Sequence, residues 1–140
     1  MQFSVFLANR VGELKEMLDL FLSQSVRILG LSIVDSTDWA VIRTVFSDAN
    51  KAREILRRHP LPFTESEVLL AVLDSEKDLS RICELLIQME INVHFAYPLA
   101  VRSAGKAVMV FHVDDLAPAR AMLARHDVTL LGHEDLSGPV

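Results

Sequence analysis

The apolar positions of this chain change their spacing in a fixed order, and that order then repeats. Residues 2–7 alternate with period two, the mark of a strand with one buried face. Over residues 12–24 the positions Leu14, Met17, Leu18 and Phe21 follow the i, i+3, i+4, i+7 spacing of one helix face. Alternation returns over residues 26–34, Asp35-Ser36-Thr37-Asp38 makes a turn, and residues 39–46 form a third strand. Asp48 caps a helix that runs to about residue 59, and Pro60 and Pro62 stop it before a short strand at 63–66. The second half predicts strand 68–73, helix 78–90, strand 93–101, turn 102–106, strand 107–113, helix 116–126 and a last strand at 129–131.

The two halves can be set in register. Phe3, Val5 and Leu7 are matched 65 positions later by Val68, Leu70 and Val72, and Leu14, Met17, Leu18 and Phe21 by Leu79, Ile82, Cys83 and Leu86 at the same shift. The shift then becomes 67, pairing Val41 with Val108 and Ala52-Arg53-Glu54-Ile55-Leu56-Arg57-Arg58-His59 with Ala119-Arg120-Ala121-Met122-Leu123-Ala124-Arg125-His126. A two-residue insertion in a hairpin accounts for the change. The order β-α-β-β-α-β, given twice, is the ferredoxin-like split βαβ arrangement. The expected fold is therefore α+β, with two such modules in tandem, 1–66 and 67–140. They are expected to join edge to edge in an antiparallel eight-stranded sheet with helices on one face.

Helices cover one face of such a sheet, so the other should be polar where it meets water. With Phe3, Val5 and Leu7 facing the helices, the pattern leaves Phe6, Leu29, Leu31, Ile33, Val41 and Val45 on the outer face of the first module, and Leu69, Ala71, Val108 and Val110 on that of the second. A bare apolar face of this extent is rarely left in water. A homodimer is the expectation, with a second chain covering that face.

Composition narrows the function. At 140 residues and 51% hydrophobic the chain has enough material for a packed core. Its apolar runs fall short of the roughly 20 residues of a membrane span, and residues 1–4 lack a basic leader region, so a cytoplasmic location without membrane contact is expected. A formal charge of −5 without a basic run opposes a phosphate backbone, and nucleic acid is not an expected partner. The single cysteine, Cys83, stands on the apolar stripe of a helix and reads as packing.

No catalytic or metal site is expected. His59 and His126 occupy equivalent last-turn positions of two helices, where a cation suits the helix dipole. His94, His112 and His133 show no metal-ligand spacing. Asp114-Asp115 starts a helix, as Asp48 does in the first copy. Neither Gly-rich nucleotide fingerprint is present, so no cofactor is expected.

The stretch Phe6-Leu7-Ala8-Asn9-Arg10-Val11-Gly12-Glu13-Leu14 resembles the first strand-to-helix turn of the ACT domain family, the small-molecule regulatory modules of amino-acid metabolism. Residues 31–39, Leu31 to Trp39, resemble the second-strand hairpin of free-standing tandem ACT proteins. The resemblance spans nearly the whole chain. It implies a non-catalytic regulatory protein that binds a free amino acid or similar small carboxylate where neighbouring modules meet, the first loop of one facing the second strand of another. On that basis the ligand-binding candidates are Asn9, Arg10, Val11, Gly12, Glu13 and Leu14 from the loop, with Leu31, Ser32, Ala96 and Tyr97 from the second strands. The loop's chemistry suits the role: the free N–H groups of the first helical turn and the helix dipole favour an anion, and Asn9 offers a donor and an acceptor. Taken alone, Gly12 also suits a plain strand-to-helix turn, Asn9 is a common turn residue, Arg10 a solvated charge and Tyr97 ordinary packing.

Two departures stand out. Val11 replaces the proline that usually precedes the family's glycine, and the second copy reads Asp74-Ser75-Glu76-Lys77-Asp78-Leu79, with Lys77 in place of Gly12. The second loop is therefore expected to be degenerate. Two alternatives differ in kind. One is a regulatory subunit that docks on an amino-acid biosynthetic enzyme, similar to the small subunit of acetolactate synthase, and the other is a purely structural assembly through sheet edges.

Overall fold

The computed structural model of the protein describes residues 1–8, 12–35, 37–132 and 135–136. These fall into two compact units, Met1–Ser66 and Glu67–Leu136.

The first unit runs β1 (Gln2–Ala8), α1 (Glu13–Ser23), β2 (Ile28–Asp35), β3 (Trp39–Phe46), α2 (Ala49–Arg58) and β4 (Phe63–Ser66). Its strands form one antiparallel sheet in the order β2-β3-β1-β4, with Val5 opposite Ile42 and Phe63. Phe3, Val5 and Leu7 face the helices and pack with Met17, Phe21, Ile55 and Leu56, all of them buried. Three phenyl rings anchor this core: Phe3 and Phe21 lie 5.4 and 4.4 Å from Phe46, centroid to centroid. Asp48 caps α2 by accepting from the Lys51 N–H at 3.1 Å. Arg53 of α2 clasps Glu65 of β4 through one guanidinium edge, its Nε and Nη2 each donating to one carboxylate oxygen, the Nε bond at 2.8 Å, and thereby ties helix to edge strand.

The second unit runs β5 (Leu69–Leu73), α3 (Glu76–Gln88), β6 (Val93–Pro98), β7 (Ala107–Val113) and α4 (Leu116–Arg125), with a three-stranded sheet in the order β5-β7-β6. The strand expected at 129–131 is reduced to a bridge between Leu130 and Ala71, held by Val72 N–H to Thr129 O and Leu131 N–H to Leu70 O, each 2.9 Å. Pro98 ends β6 earlier than expected, and as an edge strand β6 tolerates it. A turn with Ala104 and Gly105 in the left-handed region, φ 50° and 81°, joins β6 to β7.

The face assignments need two corrections. In β2 a bulge between Ile28 and Gly30 shifts the register by one residue. Leu31 then opposes Thr44 and Ile33 opposes Ile42, on the same face as Phe3 and Val5, so both lie on the helix side. Phe6 and Val41 do pair on the outer face. In the second unit Leu69, Ala71 and Leu73 belong to the helix-side core with Ile82, Leu86 and Phe111, and Leu70 and Val72 point outward opposite Val110 and Val108. The structural equivalent of Phe3 is thus Leu69, one position later than the sequence register implied. Leu70, Val108 and Val110 are buried within the single chain, so this is not the bare apolar surface expected. Among the exposed apolar side chains, Ile33, Val34 and Trp39 sit together at the far end of the β2–β3 hairpin, each about half exposed, at 48, 47 and 51%.

Three smaller differences follow from local chemistry. With Ser75 as its N-cap, α3 starts at Glu76, two residues before the expected Asp78, because Ser75 accepts from a backbone N–H of the first turn while Asp78 reaches back. Asp115 stands at the start of α4 without a side-chain capping bond, and Asp114 holds Asn92 through both its backbone N–H and its side-chain amide. Cys83 is half-buried and lies outside the core cluster.

Candidate functional site

The candidate site is the turn from β1 into α1. Gly12 is the N-cap of α1 at φ 92°, ψ −15°, a left-handed conformation that glycine adopts readily and other L-residues adopt at about 1–2 kcal/mol. A Cβ placed there would meet nothing within 4 Å, so the backbone conformation, not space, selects glycine. Gly12 has no side chain with which to cap α1, and the first-turn acids Glu13 and Glu16 complement the helix dipole.

Beside this turn the first unit has a cavity of about 370 Å³. Phe6, Leu7 and Ala8 of β1 form one wall, and Glu13, Glu16, Met17 and Leu20 of α1 another. Trp39, at the start of β3, and His59, Leu61 and Pro62, between α2 and β4, complete it. A bond from the Phe6 N–H to the Pro62 carbonyl, 2.9 Å, fixes the segment after α2 against β1 and so sets the distance between two of these walls. The volume falls within the usual range for small-molecule sites, and the lining is mainly apolar with a few polar groups.

Of the residues singled out from the sequence, Glu13 lines the cavity and Gly12 precedes it at the helix start. Leu14 turns into the core, and Asn9, Arg10 and Val11 lie outside the described residues. Leu31 and Ser32 occupy opposite faces of β2, and neither lines the cavity. Ala96 and Tyr97 are their counterparts on β6. A bulge between Val93 and Phe95 repeats the one in β2, so Ala96 opposes Phe111 on the helix side, and Tyr97 opposes Val110 on the outer face and is buried. Sequence reasoning missed Phe6, Leu7, Ala8, Glu16, Met17, Leu20, Trp39, His59, Leu61 and Pro62. The spacing of Glu13, Glu16, Met17 and Leu20 marked one helix stripe, but the wall after α2 has no sequence signal. His59, read as a C-terminal cap, does cap α2, its backbone N–H reaching Ile55 O at 3.0 Å, and it also lines the cavity.

The corresponding turn of the second unit is closed by its own side chains. The Asp78 carboxylate accepts from the N–H groups of Asp74 at 2.6 Å and Ser75 at 3.3 Å, and Ser75 Oγ accepts from the Lys77 N–H at 3.3 Å. Lys106 adds an ion pair to Asp74 at 2.7 Å, and Asp74 holds the ammonium pKa above its ordinary value, chiefly through that hydrogen bond. On β6 and β7 the rings of His94 and His112 approach to 5.3 Å. Among the described residues no group of three or more metal-ligating side chains forms, and no helix is long and apolar enough to cross a membrane.

Several solved structures share the fold. Protein BT0572 from Bacteroides thetaiotaomicron superposes with a TM-score of 0.87 at 21% identity, over 99% of this chain and 95% of that one. The ligand-free regulatory subunit of aspartate kinase from Thermus thermophilus gives 0.62 at 8% identity, over 89% of each chain. The aspartokinase alpha and beta subunits give 0.55 at 15% identity, over 89% of this chain and 87% of that one. Comparison with curated proteins gave no match to the sequence. The ACT domain pair family matches residues 1–139, and the chain belongs to that family.

Proposed function

We propose that this ACT domain pair is a non-catalytic regulatory protein that binds a free amino acid at the β1–α1 turn of its first module. The observation that carries the reading is the start of α1 at left-handed Gly12, an N-cap residue with no capping side chain of its own, next to a cavity built from the same module. An α-carboxylate would take the open N–H groups of the first turn, and the rest of the ligand would enter the cavity. The family resemblance adds that a neighbouring module closes such a site. The eight-stranded sheet, the homodimer and the cytoplasmic location belong to the same proposal. Ligand-dependent regulation then requires that the ligand bind one arrangement of modules better than another.

A thermal-shift screen of the purified protein against the twenty amino acids tests this. At 100 times its dissociation constant a ligand stabilises by about 2.7 kcal/mol, several degrees for a chain of this size. Gly12→Asp should abolish the shift by placing a negative charge at the helix start. Gly12→Asn, which tolerates the same left-handed backbone without the charge, should keep most of it. No shift with any amino acid would sink the proposal.

A second reading, docking on an amino-acid metabolic enzyme, draws on the exposed Ile33, Val34 and Trp39 and on the likeness to a regulatory subunit of aspartate kinase. It expects a stoichiometric enzyme in a pull-down from native lysate, lost with Trp39→Lys.

A further inference from the structure

The charge pattern of the cavity narrows the class of ligand. Along α1 the lining residues Glu13, Glu16, Met17 and Leu20 form one stripe, acidic toward the start of the helix and apolar farther along. The other walls add Phe6, Trp39 and Leu61, and among the described residues no lysine or arginine lines the cavity. The Glu13 and Glu16 carboxylates take no part in the ion pairs found among the described residues, which join Lys15 to Asp19, Arg53 to Glu65 and Lys106 to Asp74. Among the described residues the cavity thus offers two carboxylates outside those ion pairs at one end and hydrocarbon at the other. A ligand that fits both ends carries a positive group beside a sizeable apolar one. A second carboxylate, or a ligand with a carboxylate and no ammonium, would bring like charge to Glu13 and Glu16.

We infer that the ligand is an α-amino acid with a large apolar side chain, held by its ammonium group against Glu13 and Glu16 while the side chain packs toward Leu20 and Leu61. This rests on the proposed amino-acid binding and adds a ligand class to it. Acidic amino acids and deaminated acids are excluded by the same two carboxylates, and small or polar amino acids leave the apolar end unfilled.

Calorimetric titration of the full chain with L-phenylalanine, L-leucine, 3-phenylpropionate, L-serine and L-glutamate tests it, alongside the Glu13→Gln/Glu16→Gln variant checked for folding by circular dichroism. L-Phenylalanine or L-leucine should bind tightest, and 3-phenylpropionate, which lacks only the ammonium of L-phenylalanine, should bind at least tenfold more weakly. The double substitution should weaken the apolar amino acids roughly tenfold, about the loss of two partly exposed charge contacts. It should also narrow their advantage over 3-phenylpropionate, which general damage to the cavity would not do. Binding of 3-phenylpropionate equal to that of L-phenylalanine, preference for L-serine or L-glutamate, or a double variant with unchanged affinity would each overturn the inference and leave amino-acid binding standing. If none of the twenty amino acids binds, the proposed function fails with it.

Discussion

The two strand-to-helix turns of this protein descend from one pattern and have been finished in opposite ways. In the first module α1 begins at Glu13 behind a left-handed glycine, an N-cap residue that has no side chain to place over the first N–H groups. In the second, with Met17 equated to Ile82 and Phe21 to Leu86, helix α3 extends two residues further toward its start. Those residues are Glu76 and Lys77, and at this start the Asp78 carboxylate accepts from the Asp74 and Ser75 N–H groups and Ser75 Oγ from the Lys77 N–H. A helix start with its own capping box is stabilised and has fewer N–H groups left to offer an anion. An open one gives up that stabilisation and keeps the donors available. A repeated fold need not repeat the chemistry of its turns, because a handful of residues decides how each helix start is finished.

The comparison is sharpest where the cores beneath the two turns are tested first. Phe21 and Leu86 hold equivalent, fully buried positions under α1 and α3. Phe21→Ala should destabilise by about 3–5 kcal/mol and Leu86→Ala by about 2–5 kcal/mol in urea unfolding followed by circular dichroism. Similar losses would locate the difference between modules in the turns. A loss below about 1 kcal/mol at either position would mean that the core there is not packed as described.

The turns themselves come next. Gly12→Ala should lower stability by about 1–2 kcal/mol through its left-handed backbone, with no steric contact involved. Lys77→Ala, inside α3, should change it by less than about 0.5 kcal/mol, whereas Asp78→Ala should cost about 0.5–2 kcal/mol by removing the capping box. Equal effects at Gly12 and Lys77 would break the contrast between an open and a closed turn.

The smallest expected effect concerns what ties each module's second helix to its sheet. Arg53 holds the Glu65 carboxyl pKa below its ordinary value, first through their hydrogen bonds and then through charge, and no ion pair among the described residues joins α4 to a strand in the same way. A lowered folded-state pKa means that the pair's contribution, about 1 kcal/mol, is fully present above the unfolded carboxylate value near pH 4.3. It is lost as pH falls through the lowered value. The stability gap between wild type and Glu65→Gln should therefore be visible at pH 7 and shrink at pH 3. A gap that grows with acid would contradict the sign.

Much of this architecture was legible in the chain. Period-two and period-3.6 spacing placed β3 and β7 at their observed bounds and identified the four helices, because each element buries one face and its sequence must record which. Proline and Asp48 marked the ends of α2 for equally local reasons. Lys77 in place of Gly12 announced that the second turn differs, and the first-turn sequence pointed to the ACT family. What the sequence did not disclose depends on partners distant in the chain. A bulge in β2 moved Leu31 and Ile33 to the helix side, since register is settled by pairing with β3, and a one-residue slip reverses every side chain beyond it. The same uncertainty misplaced Leu69 and Ala71. The cavity is the clearest case: Glu13 and Glu16 share a helix stripe that sequence displays, but His59, Leu61 and Pro62 reach them only because the Phe6 N–H bonds to Pro62. Local spacing determined which elements form and what they bury; tertiary pairing alone decided which of them enclose a space, because that depends on distances between segments that no single segment encodes.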